Sequence, residues 1–539
     1  MLSWLSGFGV TLIAVLMAAL VWSGSAASAT LTSIEREELV AHPHALVLTR
    51  DAKAASALRR AGGVRIARSL PVWRVASRSA LRVAPLAEII EPDRFMATAT
   101  HFSSGDPLVP TQWWITPIGA GTVEPPGPGK PVTVVDTGVD LNHPEFAGRA
   151  STIALNGQSV VGQTEDHGTA VASTIGAPPN AQGIVGVYPQ AVLQIWDASP
   201  NGPGISVSGV VAGIDTALRR GTGVINLSLG STFRDPLLEA MVTIAFGTGS
   251  LVVAASGNDR SHGSPLEYPA SFPHVLSVGA IDQSGRPASF SSGSPYVDLA
   301  APGQAIPVAV PPSTYSSFSG TSFATPLTAG AAAWVWTARP TLGVTQLFDL
   351  MRSSVQDIET PGFDPYTGFG RLDIPRALTA VPLPADPNEP NDDIDHIKPK
   401  RLFREGDQPL NSLQRLRATL RARLDFGEDQ RDVYRVWVAG RRVTAITISP
   451  TADVDLALWG PRTATVFEGG GPRRRDLKAL SEKPGARRET IRVRNTARRG
   501  AYYYVEAYLG GSPPVRRVGA ISYKLTVSTA AIKTPRARR

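Results

Sequence analysis

The stretch VINLSLGSTFRDPLLEAMVTIAFGTGSLVVAASGN, residues 224–258, decides the fold of this chain. It places two apolar runs of strand length, VINL and LVVAA, on either side of the helical segment PLLEAMVTIAFG. Strands that are apolar along their whole length are covered on both faces, and a helix between two such strands joins parallel neighbours. The stretch therefore predicts a β-α-β unit of a parallel sheet.

The same alternation continues on both sides of this unit. VTVVD (132–136) and VLSVGAI (275–281) have the composition of further buried strands, and VSGVVAGIDTALRR (207–220) has the period of a helix. Together these segments predict a doubly wound α/β domain. In such domains the reactive groups lie at the carboxyl ends of the strands, where this sequence carries Asp136 and Asn258.

Three further features place a nucleophile at that edge. Asp136 ends a strand, His167 begins HGTAVAS, and Ser322 lies in GTSFATPLTAG before an apolar helical segment. A serine becomes nucleophilic when a histidine takes its proton and a carboxylate orients that histidine. Asn258 adds an amide that can stabilise an oxyanion beside the Ser322 N–H. Each residue alone is equally explained as a helix cap or turn residue, but their order Asp, His, Ser is that of subtilisin.

Residues 107–380 resemble the subtilisin-like serine proteases in seven blocks that follow the family's order. The blocks are VTVVDTGVDLNHPEF, HGTAVAS, GVINLSLG, VVAASGN, VDLAAPG, GTSFATPLTAG and GFGRLDIPRAL. The resemblance implies that Asp136, His167 and Ser322 form the catalytic triad and that Asn258 completes the oxyanion hole. It also implies hydrolysis of peptide bonds through an acyl-enzyme.

The resemblance further implies where substrate binds. An extended peptide would lie between Ser228-Leu229-Gly230 and Ala255-Ser256-Gly257. One departure concerns Glu267, which precedes YPA where comparable bacterial subtilisins carry a glycine at the base of the first specificity pocket. If Glu267 points inward, it favours Arg or Lys before the cleaved bond. If it points to solvent, it only narrows the pocket, and the sequence leaves both alternatives open.

A structural calcium ion is also implied by the resemblance. Gln112, Glu145 and Asn180 match the places from which family members supply oxygen ligands, and oxygen ligands suit this ion. Two departures count against it, because the family carboxylate is commonly aspartate and Pro179 stands where asparagine is common. The alternative is a surface loop that needs no metal.

Composition divides the chain into several parts. The apolar N-terminus ends in Ala27-Ser28-Ala29, which is typical of a cleaved signal peptide. No Lys or Arg precedes the apolar run, however, and its ~19 residues could also span a membrane uncleaved.

The segment EPNDD and the strand-like segments after it resemble the bacterial pre-peptidase C-terminal domain, and their alternation predicts an antiparallel β-sandwich. The predicted parts are a signal peptide (1–29), a propeptide-like α+β domain (30–100), the catalytic domain (107–380), a linker (381–395), the β-sandwich (396–530) and a basic tail (531–539).

The charges are unevenly distributed over the 539 residues. The net charge is +8, but residues 385–539 carry 31 Lys and Arg against 18 Asp and Glu. No basic motif interleaved with aromatic residues and no glycine-rich phosphate loop accompanies this excess, so contact with an anionic cell-surface polymer, or a role in solubility alone, is favoured over nucleic-acid binding. The chain has no cysteine, which excludes disulfides, thiol catalysis and cysteine-ligated metals.

These features together predict a secreted or cell-surface serine endopeptidase that acts as a monomer on proteins or peptides. The 30–100 unit would be its own intramolecular inhibitor until it is cut, with the mature chain beginning between Met96 and Asp106. Catalysis would need no cofactor. The alternative function is a catalytically inactive protease fold that displays the basic β-domain as a binding module.

Overall fold

A computed structural model of the chain describes residues 31, 36, 39–40, 43–66, 71–92, 102, 105–157, 166–199, 204–386, 388–425, 429–466, 476–510 and 521–532. The predicted signal peptide, most of the region that contains the predicted mature start and most of the basic tail lie outside these residues. The chain divides into two compact units, Met1–Ala97 and Thr98–Arg539. No helix within the described ranges is long and apolar enough to cross a membrane.

The first unit is a four-stranded antiparallel sheet with a helix. Its strands are β1 (His44–Leu48), β2 (Val64–Arg65), β3 (Val72–Ala76) and β4 (Ile89–Pro92), in the order β2-β3-β1-β4, and its helices are α1 (Ala52–Arg60) and α2 (Ser77–Ala80). In β3, Trp73 and Val75 are buried while Arg74 is exposed. Asp51 begins α1 by accepting the Ala54 N–H at 2.7 Å. This alternation gives the sheet one apolar face, which packs against α1.

The second unit contains the parallel sheet that the sequence predicts. Its seven strands are β5 (Val132–Asp136), β6 (Thr152–Ala154), β7 (Leu193–Asp197), β8 (Val224–Leu227), β9 (Leu251–Ala255), β10 (Val275–Ile281) and β11 (Leu299–Pro302). They lie in the order β11-β10-β9-β8-β5-β7-β6, and every neighbouring pair is parallel. The predicted fold class of the catalytic domain is thereby confirmed.

Helices cover both faces of this sheet. They are α3 (Asp166–Gly176), α4 (Val207–Arg220), α5 (Pro236–Gly247), α6 (Thr321–Ala338), α7 (Val344–Ser353) and α8 (Ile374–Thr379), and a hairpin of β12 (Ile306–Val310) and β13 (Thr314–Phe318) precedes α6. Val134 joins the apolar cluster formed with α3 and α6, whereas its neighbour Val135 joins the cluster formed with α4 and α5. Because successive strand residues point to opposite faces, both faces of β5 need apolar side chains.

The C-terminal part consists of two four-stranded antiparallel sheets, as predicted. The strands are β14 (Arg417–Leu424), β15 (Arg431–Val438), β16 (Arg442–Pro450), β17 (Val454–Trp459), β18 (Leu477–Ser481), β19 (Glu489–Asn495), β20 (Ala501–Leu509) and β21 (Ile521–Ala531). One sheet has the order β14-β21-β16-β19 and the other β15-β20-β17-β18. Inward-facing residues of both sheets, including Val436 and Ile446, share one apolar core.

The segment predicted as a linker is largely buried from Asp386 onward and leads into α9 (Ile394–Ile397). Asp392 in this segment pairs with His274, which lies just before β10, at 2.9 Å. Arg352 of α7 pairs with Asp425 beyond β14 at 3.1 Å. Charged contacts therefore tie the β-sandwich to the catalytic sheet inside one compact unit.

Candidate active site

The four predicted catalytic residues lie at one edge of the parallel sheet. Asp136 is the last residue of β5, and Asn258 follows the end of β9. His167 and Ser322 are each the second residue of a helix, α3 and α6, and both helices pack on the same face of the sheet. The fold thus brings together residues that are up to 186 positions apart in the sequence.

Asp136 and His167 form a direct hydrogen bond. The His167 Nδ1 lies 2.8 Å from the Asp136 Oδ1, which also accepts the Thr137 N–H at 2.8 Å. Asp136 is completely buried, while the His167 side chain is 36% exposed. The negative charge of Asp136 raises the pKa of His167 against the opposing effect of burial. This bond leaves Nε2 of the imidazole to exchange a proton with a substrate or nucleophile.

Ser322 is held close to the neighbouring strand end. Its Oγ donates to the Ser228 carbonyl at 3.2 Å, and the Ser228 hydroxyl donates to the Ser322 carbonyl at 2.9 Å. The ring of Phe323, the next residue, lies 5.8 Å from the His167 ring. The first N–H groups of a helix have no intrahelical acceptor, so the Ser322 N–H can donate to a substrate oxygen. In this structure the Ser322 hydroxyl therefore bonds Ser228, and its transfer of a proton to His167 stays a prediction.

Asn258 is oriented by the first residue of α6. Its Oδ1 accepts the backbone N–H of Thr321 at 2.9 Å and the Thr321 hydroxyl at 3.1 Å. Because the carbonyl end of the amide accepts both bonds, the Nδ2 end remains to donate to a substrate oxygen. The same threonine hydroxyl accepts the Gly257 N–H at 3.3 Å. Thr321 therefore fixes the position of the Asn258 amide group relative to α6, the helix that carries Ser322.

The predicted substrate-binding segments follow β8 and β9, which are adjacent strands. Ser228, Ala255 and Ser256 are buried, whereas Gly230 is exposed. Glu267 points inward, between these two segments: a Cβ placed on Gly230 would lie 2.5 Å from its Oε2, and one on Gly257 would meet its Oε1. Burial raises the pKa of Glu267 to about 7.

The charge and hydrogen bond of Asp259 raise the pKa of Glu267 further. Asp259 was not among the predicted site residues. Its position next to Asn258, on the segment that follows β9, is the feature of the sequence that could have indicated it as a site residue.

The three predicted calcium ligands form part of one buried network. Glu145 is fully buried and accepts the Ile184 N–H at 3.1 Å and the Tyr315 hydroxyl at 2.9 Å, and its Oε2 lies 3.5 Å from the Asn180 Nδ2. The Gln112 Oε1 already accepts the Val185 N–H at 2.9 Å. Calcium takes six to eight oxygen ligands, and this set as arranged does not form such a cage. Calcium at these residues stays a prediction.

A neighbouring acid completes the network. Asp106, which the sequence reasoning missed, accepts two backbone N–H groups from the loop of residues 180–182 through one carboxylate oxygen. Its other oxygen is buried and has no hydrogen-bond partner in the described part of the chain. Burial, with a smaller contribution from Asp106, raises the pKa of Glu145 to about 7. The network therefore holds a proton near neutral pH.

A second group of acids lies where the β-sandwich meets the catalytic sheet. Ligand atoms of His274, Glu389 and Asp392, and those of Glu389, Asp429 and Asp432, lie within 4.8 Å of one another. Both carboxylate oxygens of Glu389 are buried without a hydrogen-bond partner among the described residues. Burial, together with the neighbouring acids, raises the pKa of Glu389 and of Asp429 well above the usual range. Either protons or a divalent cation can balance these carboxylates. The sequence reasoning assigned this segment to a linker and missed the group.

The catalytic part of the chain is similar to known proteins. Residues 127–370 match the model of the subtilase family. The chain is 35% identical over 251 residues to subtilisin DY of Bacillus licheniformis, covering 46% of this chain and 89% of that protein. It is 36% identical over 271 residues to an alkaline protease of Shouchella clausii, covering 48% and 70%.

A solved structure, that of a psychrophilic subtilisin-like protease of Pseudoalteromonas sp. AS-11, matches with a TM-score of 0.45 and 19% identity over 49% of this chain and 96% of that chain. The identity to subtilisin DY, with most of that protein covered, decides the assignment. The chain belongs to the subtilase family of serine proteases.

Proposed function

We propose that this subtilase is a secreted endopeptidase that cuts peptide bonds through Asp136, His167 and Ser322. The observation that carries the proposal is the 2.8 Å bond between Asp136 and His167 at the sheet edge where α6 presents Ser322. A buried carboxylate that fixes the imidazole is the arrangement a serine nucleophile requires.

The first half of the reaction makes the acyl-enzyme. Ser322 Oγ forms a bond to the substrate carbonyl carbon while His167 Nε2 takes the hydroxyl proton. The carbonyl oxygen becomes an oxyanion that accepts hydrogen bonds from Asn258 Nδ2 and the Ser322 N–H. The carbon–nitrogen bond then breaks, and His167 gives its proton to the leaving amine. Water then attacks the carbonyl carbon of the acyl-enzyme while His167 takes its proton. The bond to Ser322 Oγ breaks, and His167 returns the proton to this oxygen. Asp136 stabilises the imidazolium in both halves of the reaction.

The maturation scheme belongs to the same proposal. Residues 1–29 would direct export, and the α+β unit that contains β1–β4 would act as an inhibitory propeptide until the protease cuts it off. A small sheet with its own apolar core, as this unit has, can fold as a separate inhibitor. The proposed mechanism uses no metal in any catalytic step.

The experiment compares three forms of the full chain: wild type, Ser322→Ala and the control Ser317→Ala, which changes an exposed serine of β13. Export, intact mass, N-terminal sequence and cleavage of a mixed peptide library are measured for each. We expect wild type and the control to be exported, shortened at residues 96–106 and active, and Ser322→Ala to keep its N-terminal unit. A folded wild type that stays unprocessed and leaves the library uncut would refute the proposal and favour the binding-module alternative.

We also propose that the β-sandwich holds the enzyme on anionic cell-surface polymer. Strand β19 is the edge of its sheet and exposes Arg492 and Arg494, and Arg498 and Arg499 follow in the next turn. Cosedimentation with cell wall at low salt should fall when these arginines become glutamine and when salt is raised. Binding that is insensitive to both changes would remove this part of the proposal.

A further inference from the structure

The position of Glu267 is fixed by its neighbours on the chain. Tyr268 and Ser231 exchange backbone hydrogen bonds of 2.8 and 3.0 Å, which holds the Glu267 backbone beside the segment that contains Gly230. The Glu267 carbonyl accepts the Ser271 N–H at 2.9 Å. These hydrogen bonds hold the backbone around Glu267, and its side chain extends across the slot between the segments after β8 and β9.

Glycines on both sides leave room for the Glu267 carboxyl group in the position it takes. A side chain at Gly230 or Gly257 would collide with one or the other carboxylate oxygen of Glu267, and Gly257 also has a φ of 105°, which other residues rarely adopt. Gly230 and Gly257 lie close in the sequence to Ser228 and Asn258, respectively. Ser228 contacts Ser322, and Asn258 contacts the first residue of α6. The acid therefore lies inside the slot that would receive the side chain before the cleaved bond.

A second acid shares the slot. Asp259 lies close enough to Glu267 that its charge and hydrogen bond add to burial in raising the pKa of Glu267. Two nearby basic side chains have other contacts. The exposed His262 pairs with Asp259 at 3.1 Å, and the Arg260 guanidinium lies 3.8 Å from the centre of the Tyr366 ring. The slot thus presents the Glu267 carboxyl group, close to that of Asp259, and Glu267 can release its proton to solvent when a cation binds.

We propose that Glu267 and Asp259 make this enzyme select arginine or lysine at the residue before the cleaved bond. The inference rests on the proposed endopeptidase function and names its substrate class. A guanidinium or ammonium group entering the slot forms charge-assisted hydrogen bonds with Glu267 Oε1 and Oε2, and the proton of the Glu267 carboxyl group leaves to solvent. An apolar side chain of the same length would instead have to desolvate the acid pair without compensation.

The activity test uses peptides that differ only in the residue before the cleaved bond: Arg, Lys, Gln, Leu or Ala. Wild type, Glu267→Gln, Asp259→Asn and the control Asp215→Asn are compared at pH 6, 7 and 8.5; Asp215 lies on α4 and pairs with Arg219 there. We expect the Arg-to-Leu ratio of kcat/KM to fall on the order of 10- to 100-fold in Glu267→Gln, the range for a hydrogen bond to a charged group. The control should match wild type.

The pH dependence separates charge from shape. The pKa of Glu267 is raised to about 7 in the empty slot, so the preference for Arg should grow from pH 6 to pH 8.5 in wild type and stay flat in Glu267→Gln. Asp259→Asn removes the second acid and should move this growth to lower pH. A wild type that prefers Ala, or Leu, at every pH would overturn the inference, because Glu267 would then only fill the slot.

A binding measurement keeps the inference testable if no peptide is cut. Benzamidine, a small amidinium cation, and neutral benzamide are titrated calorimetrically into the Ser322→Ala chain in two buffers of different ionisation enthalpy. We expect benzamidine alone to bind, with release of a proton, and Glu267→Gln to lose that binding. Binding with no cleavage by wild type would refute the proposed function and keep the slot assignment, whereas no binding of benzamidine would overturn the assignment itself.

Discussion

Replacing Glu145 by glutamine should remove a specific pH dependence of stability. Glu145 is fully buried, and its pKa rises from 4.5 to about 7, chiefly because of burial. Between these two values the folded chain keeps a proton that the unfolded chain has released, so stability falls as pH rises. The difference between 4.5 and about 7, at about 1.36 kcal/mol per unit, is a loss of about 3 kcal/mol that is complete above pH 7.

Glutamine resembles the protonated acid in shape and can accept the same bonds from Ile184 and Tyr315. The variant should therefore match the parent near pH 4, below the pKa of the unfolded chain, and be about 3 kcal/mol more stable than the parent at pH 8. Both chains carry Ser322→Ala to prevent self-cleavage, and urea unfolding is followed by tryptophan fluorescence, since Trp114 is completely buried in the same core. The control is Ser317→Ala, which changes an exposed serine, removes no ionisable group and should leave the pH dependence of stability unchanged.

Two outcomes would refute this reasoning. A stability difference that does not change between pH 5 and pH 8 would mean that Glu145 does not hold a proton in the folded chain. A calcium-dependent gain of stability at pH 8 in the Glu145 form, absent from Glu145→Gln, would mean that a cation replaces the proton there.

Three further predictions concern catalysis and the domain junction. Asn258→Ala should lower kcat by about 10²- to 10³-fold with little change in KM, measured on a good peptide substrate, because the lost donor acts on the oxyanion. The kcat/KM of wild type should rise with pH through a pKa above 6.5, and Asp136→Asn should move that step to lower pH as well as slow the reaction, because the Asp136 charge raises the pKa of His167. Asp392→Asn should cost about 1.5–3 kcal/mol in urea unfolding, because the buried His274, with 5% of its side chain exposed, loses a charged hydrogen-bond partner. Adding His274→Gln to Asp392→Asn should then cost much less than the sum of the two single changes, and full additivity would show that the pair is not coupled.

The parallel sheet, and the position of the candidate catalytic residues at its edge, could be predicted because both rest on local patterns. Strands such as VTVVD and LVVAA are apolar along their length, and this pattern fixes their place inside a two-sided sheet. Reactive residues then follow at strand ends and helix starts, as Asp136 and Ser322 do. These inferences needed only the order of segments along the chain.

The direction of the Glu267 side chain could not be predicted in the same way. It depends on the backbone bridge between Tyr268 and Ser231 and on two glycines that leave room for a carboxyl group. Those contacts join segments whose alignment the sequence does not give. For the same reason the linker prediction missed buried Asp386 and Asp392, whose acidic composition is typical of exposed segments until their partners are known.

Two glutamates in this molecule, each close to an aspartate, have similarly raised pKa values but different expected roles. Glu145 lies beside Asp106, and Glu267 beside Asp259, and in both pairs burial raises the pKa of the glutamate to about 7. Around Glu145 the chain supplies its own donors, so the raised pKa acts on stability. The slot around Glu267 is walled by glycines, which have no side chain to donate, so a donor can come from a substrate. The difference lies in what surrounds the acid, and it is why the first pair predicts a pH-dependent fold and the second a pH-dependent specificity.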